Sequence, residues 1–370
     1  MSRHLHIVCL NVPYPVDYGG VYDLFYKLPA LQQLGIQIHL HCFDYGRGEQ
    51  KELEKYCASV QYYKRLKKLS LSLPYIVSSR KNEVLLSNLL KDDYPVLLEG
   101  VHCSYPLLDK RFNNRRLFVR LHNVEFEYYR HLYKYTAHPL KKLYYFTESI
   151  LLKQYECRIA NKANAFWAVA NTDVQLYQQH FKCKAITYLP LFLPPWQIAC
   201  KEGSGTYCLY HGNLAVEENE KAAVWLLQHV FAKLSMPFII AGKNPTKRLI
   251  KLAALNKNVK IIANASQSEM EKLIADAHIH ILPSFNATGI KIKLLNALYN
   301  GRHCVVNTAI AAGTNLESLC HIADSPEAIQ QMVQQLSHIP FTQPDIQQRK
   351  QLLQHEFNNL ESAKKIAAQL

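Results

Sequence analysis

Two rhythms of apolar and polar residues alternate along this 370-residue chain. Short apolar runs read as strands. In the first half they are Leu5–Leu10, Ile36–Phe43, Val60–Tyr63, Val96–Glu99, Leu117–Leu121 and Ala165–Val169. In the second they are Cys208–His211, Phe238–Ala241, Val259–Ile262, Ile279–Leu282 and Cys304–Asn307. Between them lie stretches with helical spacing, the longest from about Leu140 to Ala160, followed by Glu217–Leu234, Pro245–Leu255, Ser268–Ala275 and Lys291–Asn300. Strands alternating with helices predict an α/β protein whose parallel sheets carry helices on both faces.

The rhythm breaks at 189–205, LPLFLPPWQIACKEGSG, where prolines and a Gly-Ser-Gly mark a linker. The chain is also too long for one ordinary core. These facts predict a Rossmann-like domain over 1–190 and a second over 205–345. The tail 346–370, polar and rich in Gln and Lys with periodic leucines, predicts a helix packed on the outside. Doubly wound sheets bind ligands at the carboxyl ends of their strands, so the residues just after each strand are the ones to search.

Composition narrows the class. Hydrophobic residues make up 49% and charged residues 19%, as in a folded globular protein. The opening MSRHLHIVCL reads as a first strand and not as a secretory leader. Ten cysteines include no Cys-x-x-Cys pair, which excludes the usual metal and disulfide frameworks and predicts reduced thiols in the cytoplasm. The net charge of +14 is uneven: 26 of the 43 basic but only 16 of the 29 acidic residues fall in 1–190. A basic first half suits an anionic membrane, an acidic acceptor or nucleic acid. Nucleic acid is set aside, because no zinc-finger, helix-turn-helix or RNA-binding signature occurs. The run Tyr62-Tyr63-Lys64-Arg65-Leu66-Lys67-Lys68-Leu69, leading to Leu71, Leu73 and Tyr75, suits peripheral contact with anionic lipid as well as it suits a solvated loop.

Candidate chemistry sits at the strand ends. Leu282–Thr308 passes from a strand through a loop to Thr288-Gly289 and a helix carrying Lys291 and Lys293. The first amides of a helix lack partners within it and share the positive end of its dipole, so lysines added there make a place for a diphosphate. Asp17-Tyr18-Gly19-Gly20 joins the first strand to a helix, and its paired glycines admit an anion close to the backbone or simply form a tight turn. Arg120, His122, Asn123 and Glu125 cluster after the Leu117–Leu121 strand, where Asn123 also fits a helix cap and Glu125 a helix dipole. His122 is the residue expected beside a reacting sugar. Gly212-Asn213 and Gly242-Lys243 close two further strands and face a base or phosphate on the same logic.

In this order the set resembles the GT-B glycosyltransferases, most of all the retaining family four (glycosyl transferases group 1). The resemblance spans nearly the whole chain: Gly19-Gly20, Arg120-Leu-His122-Asn123-x-Glu125, Gly212-Asn213 with Asn219, Ala241-Gly242-Lys243, and 283–308 with Gly301 and Val305-Val306. It implies two facing Rossmann-like domains with a C-terminal helix crossing back to the first. It also implies a nucleotide-sugar donor held by the second domain, a glycan, lipid-linked or protein acceptor held by the first, retention, and no metal or other cofactor. Lys293 and Lys291 would then meet the diphosphate, His122 the sugar, and Gly19-Gly20 the donor phosphate. Gly212, Asn213, Gly242, Lys243, Thr288, Gly289 and Asn296 would also face the donor, with Asp17, Arg120, Asn123 and Glu125 on the acceptor side. One departure stands out, because the paired glutamates of the family fall here on Thr288 and Asn296. A variant of the family with Gly-Gly-Thr-Arg-x-Lys is the nearer match to Thr288-Gly289-Ile290-Lys291-Ile292-Lys293. The expected activity is sugar transfer in polysaccharide or glycan assembly, in the cytoplasm or at the inner face of the membrane. The alternative is a non-catalytic scaffold that partners an active transferase.

Overall fold

A computed structural model describes residues 3–16, 19–67, 70–136 and 138–370. The first sheet contains β1 (Arg3–Cys9), β2 (Ile36–Asp44), β3 (Ser59–Lys64), β4 (Val96–Glu99), β5 (Leu117–Leu121), β6 (Ala165–Ala168) and β7 (Ile186–Tyr188). Its order is β3-β2-β1-β4-β5-β6-β7, and every pairing is parallel. The second sheet contains β8 (Cys208–Asn213), β9 (Phe238–Lys243), β10 (Val259–Ala263), β11 (Ile279–Ile281), β12 (His303–Val306) and β13 (His321–Ile322), in the parallel order β10-β9-β8-β11-β12-β13. The strands read from the sequence are all present, and β7 and β13 are added to them. Those two are three and two residues long and bury only Ile186, so no apolar run announces them.

The chain divides into two compact units. One comprises Met1–Pro194, Thr288–Ile290 and Phe357–Leu370, the other Pro195–Ala287 and Lys291–Glu356. In each, the reversal of strand order beside the earliest strand, β1 or β8, leaves a switch point at the carboxyl edge. Burial explains the strands: β4, β5 and β6 are buried throughout, so they must be covered on both faces.

The tail is two helices, not one. Gln343–Glu356 stays with the second unit, where Arg349 donates to the carbonyls of Leu298 (3.2 Å) and Gly301 (2.6 Å). The chain then turns at Asn358, whose side chain accepts from Leu360 N and Glu361 N and so caps a new helix, Asn359–Ala367. That helix belongs to the first unit. Ala363, Ile366 and Ala367 enter the same core as Leu24 and Leu28 of the Gly19–Gln33 helix, and Asn359 exchanges hydrogen bonds with both backbone groups of Leu193 (3.0 and 2.8 Å). Among the described residues, no helix is long and apolar enough to cross a membrane.

Candidate functional site

In the first unit, two adjacent strand ends and one helix assemble a buried set of charges. β4 ends on Glu99, β5 carries Arg120 one residue before its end, and the Gly19–Gln33 helix contributes Asp23 and Lys27, one turn apart. All four are shut off from water. Arg120 grips Asp23 with two parallel bonds, Nε to Oδ2 (2.9 Å) and Nη2 to Oδ1 (2.8 Å), and spends its other donors on the carbonyls of Leu189 (2.6 Å) and Pro190 (2.9 Å). Lys27 bridges Asp23 Oδ2 (3.0 Å) and Glu99 Oε1. Burial alone would push both carboxyls up. Arg120 and Lys27 outweigh it at Asp23, and Lys27 and His122 outweigh it at Glu99, so both are held below their ordinary values.

His122 stands on this base, just past β5. Its Nε2 lies 3.0 Å from Glu99 Oε2 and its Nδ1 lies 4.0 Å from Asp23 Oδ2, while the side chain keeps 18% exposure. Asp23, Glu99 and His122 bring one donor atom each within 4.8 Å of one another. A cation placed among them would face Lys27 and Arg120, which already neutralise both carboxylates. The donor set fits an ion-pair network that fixes an imidazole at its edge.

Beyond His122, Glu125 opens the Glu125–Tyr135 helix and is buried. Burial and then the neighbouring Glu156 push its carboxyl up to about 8, against a hydrogen bond from Asn123. Glu156 is itself pushed up to about 7 by burial. It accepts from Glu125 N (3.2 Å), Phe126 N (2.9 Å) and Tyr177 Oη (2.8 Å), so it serves as the cap that the loop lacks. His102 Nδ1, buried and without a hydrogen-bond partner, lies 3.9 Å from Glu125 Oε1. The Thr288–Ile290 segment groups with this unit. Gly289 has φ +63°, and a β-carbon there would stand 2.5 Å from Asn123 Oδ1 and 2.6 Å from His122 O. Only glycine fits both the angle and the space.

The second unit presents a different chemistry. In register, Gly212 of β8 pairs with Gly242 of β9, and Asn213 with Lys243. A β-carbon at Gly242 would come within 1.8 Å of Gly212 O, so this edge closes only with glycine. Lys293 lies in the first turn of the Ile292–Asn300 helix, which starts three residues after Gly289 and has Lys291 at its N-cap. Its ammonium donates to Tyr210 Oη (3.2 Å) and Asn219 Oδ1 (3.1 Å) and sits 4.8 Å from the Tyr210 ring centroid. Asn219 in turn donates to Asn213 O (3.0 Å), tying the lysine to the β8 edge. Burial pushes the ammonium down to about 8, opposed by Glu218 and aided by Lys291. The result is a cation held by Tyr210 and tied through Asn219 to the end of β8.

Residues 205–338 match the family described as glycosyl transferases group 1. The second unit is a group 1 glycosyltransferase domain. The whole chain takes the GT-B fold and is a glycosyltransferase. It is 26% identical over 337 residues, 84% of each chain, to an uncharacterized 44.6 kDa protein in the cps region of Klebsiella pneumoniae. Among solved structures it resembles TarM, with a TM-score of 0.72 at 10% identity over 100% of this chain and 99% of that one. It also resembles Anabaena HepE in complex with UDP and glucose, with a TM-score of 0.67 at 11% identity over 98% of each. At such identities the likeness is one of fold.

The glycosyltransferase arranges the expected residues unevenly. His122, Asn123, Glu125, Thr288 and Gly289 come together in the first unit; Gly212, Asn213 and Lys293 are linked in the second, with Gly242 and Lys243 on the adjoining strand. Arg120, expected to face an acceptor, is wholly buried with its donors taken, so its task is to hold Asp23. Asn296 Oδ1, expected to accept from a donor hydroxyl, accepts from Asn300 Nδ2 at 2.8 Å along its own helix, which leaves it one further lone pair. Thr288 Oγ1 lies 3.4 Å from Asn123 Oδ1. Gly19 and Gly20 are the first two residues of their helix, and Gly20 is exposed. Asp17 lies outside the described residues. Asp23, Lys27 and Glu99 escaped the sequence reading. Asp23 and Lys27 had left a signal, as an opposite-charge pair one turn apart in an otherwise uncharged helix.

Proposed function

We propose that this glycosyltransferase moves a sugar from a nucleoside-diphosphate donor to a glycan, lipid-linked or protein acceptor, with retention and without metal or other cofactor. The observation that carries the reading is Lys293, an ammonium enclosed by Tyr210 and Asn219 at the amino end of a helix. Breaking the bond between the sugar and its diphosphate leaves negative charge on the departing group and an oxocarbenium-like centre on the sugar. Cations and backbone dipoles fixed beforehand stabilise such a departure without reorganising. In this reading Lys293, with Lys291, meets the diphosphate, and Gly212, Asn213, Gly242 and Lys243 line the nucleotide. Gly19-Gly20 approach the donor phosphate, while His122, with Asn123 and Glu125, faces the sugar and its acceptor.

Uridine nucleotides are the first donors to try, since HepE was solved with UDP and glucose. The cps relative supports a polysaccharide or lipid-linked acceptor, and in this reading the enzyme works in the cytoplasm, at the inner face of the membrane. Thermal unfolding with UDP, GDP, dTDP, ADP and their sugars tests donor binding. A ligand at a hundredfold its Kd adds about 2.7 kcal/mol to stability. Stabilisation by one nucleotide, followed by slow release of sugar from its conjugate, supports transfer. Binding without release in any acceptor mixture favours a scaffold, and no binding at all overturns the reading.

A further inference from the structure

We infer that the hairpin of helices Glu125–Tyr135 and Pro139–Ile159 is the surface that docks this enzyme on an anionic lipid bilayer. The inference rests on the reading above for its membrane setting and names the part of the chain that makes the contact.

The second helix leaves Leu140, Leu143, Phe146 and Ile150 exposed, at 74, 62, 44 and 43%. Steps of three, three and four residues set them on one face, a stripe about 15 Å long. Charge in the hairpin is sorted by depth. Its acidic residues, Glu125, Glu127, Glu148 and Glu156, are all buried. Its described lysines and arginines, Arg130, Lys134, Lys141, Lys142, Lys153 and Arg158, are all exposed. Arg130 pairs with Glu127, so the remaining basic groups set the field around the stripe. An apolar helical face flanked by basic groups and free of surface carboxylates is what an anionic interface selects.

Tyrosines 133, 135, 144 and 145 add rings with polar tips, the side chains favoured at the level of lipid headgroups. The segment 70–78 lies against the same helix, because Tyr75 N donates to both oxygens of Glu148 (3.0 and 2.9 Å). Leu71, four residues away, is wholly exposed. A second copy of the chain docked here through the same face would oppose lysine to lysine with no carboxylate to meet either. Lipid phosphates meet them all.

The test is co-sedimentation of the full chain with vesicles of phosphatidylcholine alone and of phosphatidylcholine with one-third phosphatidylglycerol, alongside UDP binding and light scattering. The wild type should sediment with the anionic vesicles only, and less as salt rises. Lys141→Glu with Lys142→Glu should weaken binding by more than tenfold, since each basic group near such a surface contributes about fivefold. Leu143→Glu with Ile150→Glu should abolish it, while Leu255→Glu, an exposed leucine of the other unit, should change nothing. Equal sedimentation of the stripe variant, or none by a wild type that binds UDP, overturns the docking surface and leaves the transferase reading standing. A wild-type dimer that the stripe variant converts to monomer also overturns it, assigning the stripe to a second copy. Sedimentation by a chain that binds no nucleotide keeps the docking surface and overturns the transferase reading.

Discussion

Glu99 Oε2 lies 3.0 Å from His122 Nε2 while the other oxygen of the same carboxylate meets the Lys27 ammonium. One buried group therefore orients an imidazole and compensates a buried cation. Glu99→Ala leaves Lys27 to share Asp23 with Arg120, and removing one partner of a buried pair costs about 3–5 kcal/mol. Urea unfolding should show that loss, with Glu99→Gln losing less. Adding Lys27→Met to Glu99→Gln should restore part of it, because the uncompensated cation goes too. A double variant no more stable than the single would show that the two groups are not coupled.

Lys293→Ala should lower turnover by about a hundredfold or more, the usual consequence of losing a preorganised donor at a developing charge. Stability should change little, since burial works against this ammonium. With its pKa pushed down to about 8, the lysine loses its charge just above neutrality. Affinity for a nucleoside diphosphate should fall as pH rises through about 8, and Lys293→Ala should remove that step from a calorimetric titration. The folding sign is opposite. The unfolded lysine holds its proton to about 10.5, so stability rises with pH between about 8 and 10.5.

Why the sequence revealed the strand ends but not the base beneath His122 follows from the range of each interaction. An apolar run, a glycine after a strand and a lysine in a first helical turn are local, and β4, β5, β8 and β9 with their trailing residues were legible for that reason. The Asp23–Arg120 and Lys27–Glu99 pairs join residues 97 and 72 positions apart, and only the parallel order β1-β4-β5 brings them together. Arg120 reads from the sequence as a charge at a strand end, but the partner that occupies it, Asp23, lies on a distant helix, so the sequence alone assigns it to an acceptor. The bond from Asn300 to the Asn296 carbonyl oxygen, one turn along the helix, leaves no mark in the sequence beyond the i, i+4 spacing.

Gly289→Ala should cost about 1–2 kcal/mol for left-handed backbone alone. The added β-carbon must then displace Asn123 Oδ1 or the His122 carbonyl, which stand 2.5 and 2.6 Å from it. Activity should therefore fall further than a substitution of equal stability elsewhere, for example one in the Gln343–Glu356 helix. Comparing kcat at matched fraction folded checks this. Equal losses would detach Gly289 from the site.

Glu125→Gln tests a carboxyl that burial and Glu156 push up to about 8. The folded chain keeps this proton through a range in which the unfolded chain, with an ordinary value of 4.5, has lost it. The group therefore makes stability fall as pH rises from about 4.5 toward 8. Glutamine copies the protonated shape and never ionises. The variant should match the wild type at mildly acidic pH and exceed it in urea midpoint at mildly alkaline pH. Parallel curves would show that Glu125 does not titrate in this range.

Acid should act through histidines of β1 and β2. His6 Nδ1 lies 2.8 Å from His41 Nε2, His4 Nδ1 lies 3.0 Å from His39 Nε2, and His41 Nδ1 meets Tyr63 Oη at 2.8 Å. His6 and His41, paired in this way, share one proton at their contact and cannot both be charged. Burial, then His6, pushes His41 down to about 3, and burial lowers His6 and His39 as well, against the opposing pull of Asp92. The unfolded chain takes up protons near the ordinary 6.5 while the folded chain refuses them. Their contribution is complete above 6.5 and is lost as pH falls toward about 3. His41→Asn, which keeps a polar group between His6 and Tyr63 but cannot protonate, should be less stable than wild type at neutral pH and lose less on acidification. The two urea-midpoint curves should converge as pH drops, and curves that stay parallel would remove His41 from the acid response.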